Sequence, residues 1–282
     1  MFNNWIKSVL IKNALSEFRS KYSQLGVSVL DLGCGKGGDL KKYNYERIAN
    51  YVGVDISVGQ LRDAIMRKVN GKVDFPMLCI RNPGQADPSL FYQNIPQNIC
   101  FDLVSAQFCI HYFFENESNV RNFLENVSQK LVRDGLFVAT FPDADVILKK
   151  LLSDSESGNQ FMVTENGDYS IIMDRSELDK DTPFGLKYGF FLDDDLIGNK
   201  EVTDRDVRIT YVPEYLINLP KLIELASEYG LALHTSRNFH EYYADNIRNE
   251  AHFSLFRKMN FQPFDYDRLM EEGVWDCSYL YR

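Results

Sequence analysis

The run DLGCGKGGD at positions 31–39 is where this sequence first shows chemistry. The apolar residues Val27 to Leu30 lead into it, and the helix-compatible residues Leu40 to Arg47 follow. It therefore reads as strand, glycine turn, helix. Gly33, Gly35 and Gly37 let backbone approach a ligand where any side chain would collide, and a helix start offers amide N–H groups without partners. The spacing departs from G-x-G-x-x-G, and Asp31 would repel a pyrophosphate while suiting a cationic amino-acid group. GVDIS (53–57) closes a second apolar segment on Asp55, about one helix and one strand further on. There the two oxygens of a carboxylate can accept both ribose hydroxyls. An adenosine with an amino-acid tail satisfies both acids, which points to S-adenosylmethionine as cofactor. A glycine turn without a ligand and a nicotinamide or flavin site are the competing readings.

Further on, QFCIHYFF (107–114) follows an apolar strand that ends at Gln107. Carboxyl ends of strands are where open α/β sheets bind ligands, so His111 and Tyr112 are expected at the mouth of the site, where aromatic faces can stack on a base. Phe113 and Phe114 fit a core position equally well. Lys36, Lys41, Lys42 and Arg67 could form a small basic rim, although a lysine pair on an exposed helix is ordinarily just solvated. Glu214, after Pro213, could accept N1–H and N2–H of guanine or could simply favour the first turn of a helix.

These residues need a scaffold. Residues 2–20 read as an amphipathic helix with Trp5, Ile6, Val9, Leu10 and Leu15 near one face. Strand and helix then alternate: Val27–Leu32 with 38–48, Tyr51–Asp55 with 57–70, Phe75–Arg81 followed by a Pro/Gly/Asn-rich loop, Phe101–Gln107 with 118–132, then Leu136–Phe141 after an Asp134–Gly135 turn. This predicts a parallel sheet with helices on both faces. Residues 153–210 read as inserted antiparallel strands with an Asn166–Gly167 hairpin turn. A helix at 213–229, a strand at Leu231–Thr235 and helix over 240–258 are expected after it.

The 282 residues carry a formal charge of −9, with 45% hydrophobic and 25% charged residues. That composition is globular and excludes a broad nucleic-acid-binding face, so any RNA contact must be local. The five cysteines form no C-x-x-C pair and read as reduced, mostly buried thiols of an intracellular protein. No apolar run is long enough to span a membrane, and MFNNWIKSVLIK has no secretion-signal pattern. A helix begins almost at once and SYLYR reads as a strand cut short, so a trimmed catalytic core is expected.

FNNWIKSVLI (2–11), DLGCGKGGDL (31–40), QFCIHYFF (107–114) and VPEYLI (212–217) occur in an order that resembles the eukaryotic messenger-RNA cap guanine-N7 methyltransferases. The resemblance covers essentially the whole chain, including Trp275 and Tyr281. It implies a class I methyltransferase: an α/β, Rossmann-like, doubly wound, seven-stranded, mostly parallel sheet with an antiparallel β insertion. The domain layout is then a single catalytic domain over 1–282: helix 1–22, cofactor core 23–142, insertion 143–211, and 212–282 completing sheet and cap pocket.

Residue by residue, the resemblance implies that Lys7 meets the methionine carboxylate, that Gly33 and Asp55 hold the cofactor backbone and ribose, and that Gln107 and Tyr112 touch its other face. Asn3 and Asn4 match a cap-binding pair, and Lys36, Lys42 and Arg67 match contacts to the cap phosphates. His111, Glu214 and Tyr281 match residues around the cap guanine. The family's carboxylate after the third strand, which meets the adenine amino group, has no plain equivalent here: Asn82 holds the nearer position and Asp87 supplies a later carboxylate.

The implied reaction is methyl transfer from a sulfonium to guanine N7, which has an in-plane lone pair and no proton, so neither a general base nor a metal is expected. The implied partners are 5′-capped RNA and the capping or RNA polymerase II machinery. A monomer is expected, working in the nucleus or alternatively the cytoplasm. The rivals are a same-fold methyltransferase acting on a small metabolite and a non-catalytic activating subunit.

Overall fold

Short apolar segments supply the strands that hold the glycine turn. The computed structural model describes residues 2–22, 26–156, 158–166, 168–192, 198–203, 206–259 and 272–282. β1 (Ser28–Leu32), β2 (Asn50–Asp55), β3 (Met77–Arg81), β4 (Phe101–Gln107) and β5 (Leu131–Thr140) form one sheet in the order β3-β2-β1-β4-β5. Every neighbouring pair in it is parallel. The strand order reverses between β1 and β4, where open α/β sheets leave a crevice at their carboxyl ends. Gln107, the glycine turn and Asp55 all stand at that end.

The helices of this half are α1 (Phe2–Tyr22), α2 (Leu40–Tyr45), α3 (Val58–Asn70), α4 (Pro88–Phe91), α5 (Ile110–Phe113) and α6 (Glu117–Ser128). Side-chain alternation sends strand residues to two separate cores. Leu30, Leu32, Val52 and Val54 pack with Phe123 and Leu124 of α6. Val29, Tyr51 and Leu103 pack on the other face with Leu15 of α1, Tyr43 of α2 and Leu61 of α3. The sheet is therefore doubly wound. Polar side chains start the helices: Ser57 accepts from Gln60 N–H, and Asn116 from Asn119 N–H.

After α7 (Ala144–Asp154) the chain builds a second, antiparallel sheet. β6 (Phe161–Glu165), β7 (Tyr169–Asp174), β8 (Lys187–Leu192) and β11 (Val212–Tyr215) lie in the order β11-β8-β7-β6, while β9 (Asn199–Thr203) and β10 (Asp206–Thr210) pair separately. α8 (Leu219–Glu228), α9 (Phe239–Asn246), α10 (Glu250–Lys258) and α11 (Glu272–Tyr279) complete the chain. A third core joins Phe2, Trp5, Ile6 and Val9 of α1 to Ile171, Tyr188 and Phe190 of this sheet. Trp5 is wholly buried, and its indole N–H donates to His252 C=O at 3.0 Å. Burying a ring of that size stabilises by about 3 kcal/mol. It pins the start of α1, and with it Asn3, Asn4 and Lys7, between the two sheets.

Several expectations are corrected. Among the described residues the central sheet has five strands, not seven. Residues 231–235 form no strand. They line, opposite the outer strand β5, a cavity of about 850 Å³ that holds none of the expected site residues. The expected helix 213–229 is instead β11 followed by α8. Pro213 is tolerated because β11 is the outer strand of its sheet, where a missing N–H breaks no inner ladder.

The Asp134–Gly135 turn is a bulge inside β5, because the register steps from Phe101↔Leu131 to Leu103↔Leu136. Helix 240–258 is interrupted by Asn249, which caps α10. The segment 38–48 yields only the six residues of α2, too few for an anion site at its start. Asn166 Oδ1 accepts from Asp168 and Tyr169 N–H at the hairpin, while Gly167 lies outside the described residues. SYLYR ends α11 and then pairs in strand fashion, with Arg282 N–H donating to Phe141 C=O at 2.8 Å and Phe141 N–H to Arg282 C=O at 3.0 Å. Cys34, Cys109 and Cys277 are buried, Cys79 is half-buried and Cys100 is exposed.

Candidate active site

The glycine turn folds back over β2. Gly33 and Cys34 N–H both donate to Val54 C=O, at 2.8 and 3.0 Å. Gly33 has φ +69°, and a Cβ there would stand 2.8 Å from that of Cys109, so this position excludes other residues. Asp55 ties the turn down: its Oδ2 accepts from Gly35 N–H and its Oδ1 from Ser57 N–H, both at 2.9 Å. Each carboxylate oxygen keeps a further lone pair for a ribose hydroxyl. Asn82 is the first residue beyond β3 and sits beside this acid, its N–H donating to Asp55 C=O at 3.0 Å. Asp87 is exposed and spent as the cap of α4, accepting from Ser89 N–H at 2.9 Å. Of the two, Asn82 is the one that stands beside Asp55.

Asp31 is buried, and Tyr51 O–H donates to it at 2.7 Å. Burial pushes its carboxyl up to about 7; the negative Asp39 adds to this, while Tyr51 and Lys7 pull it back. Lys7 contacts Asp39 Oδ2 at 3.0 Å, and Lys42 contacts Asp39 Oδ1 at 2.6 Å. Lys42 also donates to Asn4 Oδ1 at 3.2 Å. Burial alone would raise the Asp39 carboxyl, but the two ammonium groups more than offset it and hold it below the usual range. Asp39 was not among the expected site residues, although its place in the glycine motif, three residues before Lys42, was a readable signal.

The rim is partly assembled. Arg67 reaches over Gly38, where a Cβ would meet its guanidinium at 3.8 Å. Lys36 is exposed and 4.0 Å from Asp63. Asn3 is half-buried, and Lys41 is exposed on α2.

Gln107 is buried. Its amide donates to Ser105 Oγ at 3.1 Å and accepts from Thr140 O–H at 3.0 Å. Its side chain is thus held by its own strand β4 and by the neighbouring β5. Phe108 follows with φ +56°, a strained value for an aromatic residue. Its ring lies 5.7 Å from Lys7 Nζ and packs edge-on to Tyr281 at 5.1 Å. This turn starts α5, which carries His111 and Tyr112. Phe113 and Phe114 are core residues.

His111 of α5 and Glu214 of β11 meet in a buried contact. Both are at most 3% exposed, with Nε2 3.4 Å from Oε1. The contact is not aligned as a hydrogen bond, and both ring nitrogens are buried without one. Burial drives the imidazole down to about 3 and the carboxyl up to about 7, so the ring is neutral at neutral pH and the pair is not an ion pair. Tyr188 O–H donates to Glu214 Oε2 at 2.5 Å.

Tyr188 was missed because its link to Glu214 is the β8–β11 register, Glu214↔Tyr188, which the one-dimensional pattern does not encode. Tyr112 lies against His111, ring centroids 4.1 Å apart, and is 40% exposed. Tyr281 is buried beside Phe108 and Phe239. The result is a packed cluster in which a buried carboxylate and a neutral imidazole stand among aromatic rings.

Two solved structures share this architecture. One is an S-adenosylmethionine-dependent methyltransferase from Clostridium acetobutylicum (TM-score 0.51, 14% identity, 82% of this chain and 80% of that chain). The other is the CcbJ methyltransferase from Streptomyces caelestis (TM-score 0.57, 13% identity, 86% and 84%). The fold is that of class I methyltransferases.

The model of the mRNA (guanine-N(7))-methyltransferase domain matches residues 1–282. The chain is 34% identical over 295 residues to mRNA cap guanine-N(7) methyltransferase 1 of rice, Oryza sativa, covering 99% of this chain and 71% of that protein. It is 35% identical over 290 residues to the Cryptococcus neoformans mRNA cap guanine-N(7) methyltransferase, covering 99% of this chain and 42% of that protein. The corresponding Saccharomyces cerevisiae enzyme is 34% identical over 258 residues, 87% of this chain and 53% of its own length. This chain belongs to the mRNA (guanine-N(7))-methyltransferase family.

Proposed function

We propose that the chain transfers the methyl group of S-adenosylmethionine to N7 of the 5′-terminal guanine of capped messenger RNA. The observation that carries the reading is the buried carboxylate of Glu214, which Tyr188 contacts on one oxygen and which, among the described residues, has no cation in hydrogen-bonding geometry beside it. Guanine N1–H and N2–H are the donor pair that such a site lacks, and adenine cannot supply them. Because a wrong base leaves this acid buried and unpaired, the site discriminates strongly.

The cofactor fits the residues present: acids at the tips of β1 and β2, a glycine-rich turn between them, and Lys7 at its edge. When bound, it supplies a methyl group on a sulfonium. Asp55 holds the ribose, Asp31 favours the methionine ammonium, Lys7 binds the methionine carboxylate, and Asn82 faces the adenine edge. Gln107 braces the strand tip beside Tyr112. Lys36, Lys42 and Arg67 receive the triphosphate, with Asn3 and Asn4 next to Lys42.

Tyr112 touches the cofactor's other face, and His111 and Tyr281 wall the guanine so that N7 lines up with the bond to the departing methyl group. Catalysis is then orientation at near-attack distance. Glu214 adds electrostatic help, since the purine gains positive charge as the methyl arrives. No residue has to remove a proton, because N7 carries none.

The deciding experiment is mass spectrometry of GpppA-capped RNA incubated with S-adenosylmethionine, alongside a panel of small metabolites. Methylation at guanine N7 is expected; a metabolite product with unchanged caps would overturn the reading. We further place the protein in the nucleus as a monomer acting with the capping machinery on polymerase II transcripts. Imaging of a tagged chain and sedimentation test this, and a cytoplasmic signal or a dimer would contradict it.

A further inference from the structure

The loop after β3 should be the loosest wall of the cofactor site. It is rich in Pro, Gly and Asn, and forms no strand of its own. Yet one face of α6 holds it. Asn126 is wholly buried, and its side-chain Nδ2 donates both to Gly84 C=O at 2.8 Å and to Ala86 C=O at 2.9 Å. One helical turn earlier, Asn122 Nδ2 donates to Gln85 C=O at 3.3 Å. Residues four apart share a helix face, so the two amides grip three successive carbonyls.

The loop's near end is held as well. Asn82 N–H is bonded to Asp55 C=O, and Asn82 Oδ1 accepts from Gly84 N–H at 3.0 Å. Gly84 has φ +78° and lies over Phe113, where a Cβ would meet the ring at 3.1 Å. Phe113 belongs to α5, the helix that carries His111 and Tyr112.

We propose that Asn126, assisted by Asn122, is a positioning residue that fixes the loop 82–86 as the wall reading the adenine edge of the cofactor. This rests on the cofactor placement proposed above, with ribose on Asp55 and adenine toward β3. A carboxamide suits this role because it has two N–H donors on one nitrogen and no charge, so two buried carbonyls are satisfied without an ion being desolvated. Both amides act through the loop and touch no ligand.

The test measures affinity for S-adenosylhomocysteine and for S-inosylhomocysteine, which lacks the 6-amino group, in wild type, Asn126→Ala, Asn122→Ala and Asn82→Ala, with unfolding followed in parallel. Asn126→Ala should bind S-adenosylhomocysteine about ten-fold more weakly, with roughly three-fold for Asn122→Ala. In both, preference for the adenine form over the inosine form should shrink, while KM for capped RNA at saturating cofactor stays put. A purely structural role would lower the unfolding midpoint and leave that preference intact, and this result in both variants overturns the proposal. Should Asn126→Ala not fold, Asn122→Ala, a half-buried position, decides alone. Loss of preference in the α6 variants but not in Asn82→Ala would leave the clamp standing and reassign the adenine contact within the loop. If wild type shows no preference at all, the cofactor placement itself fails.

Discussion

Glu214→Gln keeps the shape of the side chain and an acceptor for Tyr188 but removes the charge. Glu214 is 1% exposed, and burial lifts its carboxyl from 4.5 to about 7. The folded chain therefore holds this proton more tightly than the unfolded chain. Its contribution to stability is fully present below pH 4.5 and is lost as pH rises to about 7. A shift of that size corresponds to about 3 kcal/mol.

His111 and Asp31 also titrate, but they are common to both proteins and drop out of the difference. Urea denaturation from pH 4.5 to pH 8 should thus show the glutamine variant gaining about 3 kcal/mol on wild type. Activity should move the other way. A glutamine offers guanine one acceptor and turns an N–H toward the base's own donors, which weakens a charge-assisted contact by about 2 kcal/mol, or roughly thirty-fold in kcat/KM on GpppA-capped RNA. Parallel pH curves would show that the carboxylate is not desolvated in this way, and undiminished kcat/KM would remove it from the guanine.

Asp55→Ala should weaken S-adenosylhomocysteine binding by about 1–3 kcal/mol in calorimetry; unaltered affinity would exclude the ribose role. In His111→Ala, turnover on GpppRNA should fall further than cofactor affinity, and the reverse ranking would assign the imidazole to the cofactor. Asp39→Asn leaves two poorly solvated ammonium groups, Lys7 and Lys42, without their shared counter-ion. It should destabilise the fold by about 3 kcal/mol; a loss under about 1 kcal/mol in urea titration would show that water already screens the trio.

Much of this site is local, and local features are legible in a sequence. DLGCGKGGD, GVDIS and QFCIHYFF each end a strand of one parallel sheet, so period and punctuation alone bring Gly33, Asp55 and His111 to the same edge. The strands β1 to β4 fall within two residues of where alternation and turn residues place them. β5 departs because a bulge extends it back to Leu131, a feature of pairing with β4 and not of its own residues.

What the tertiary structure alone decided is how the second sheet meets the first. Pro213 and Glu214 suit a helix start as well as an outer strand, and only pairing with β8 selects the strand. That pairing puts Tyr188 against Glu214 and sets both opposite His111, more than seventy residues away in the chain. The same holds for Asp39 between two lysines and for Asn126 on the loop after β3. The physical reason is range. Helix caps, turns and alternation are fixed by neighbours a few residues apart. Desolvation of a carboxylate and the company it keeps depend on which distant faces pack together.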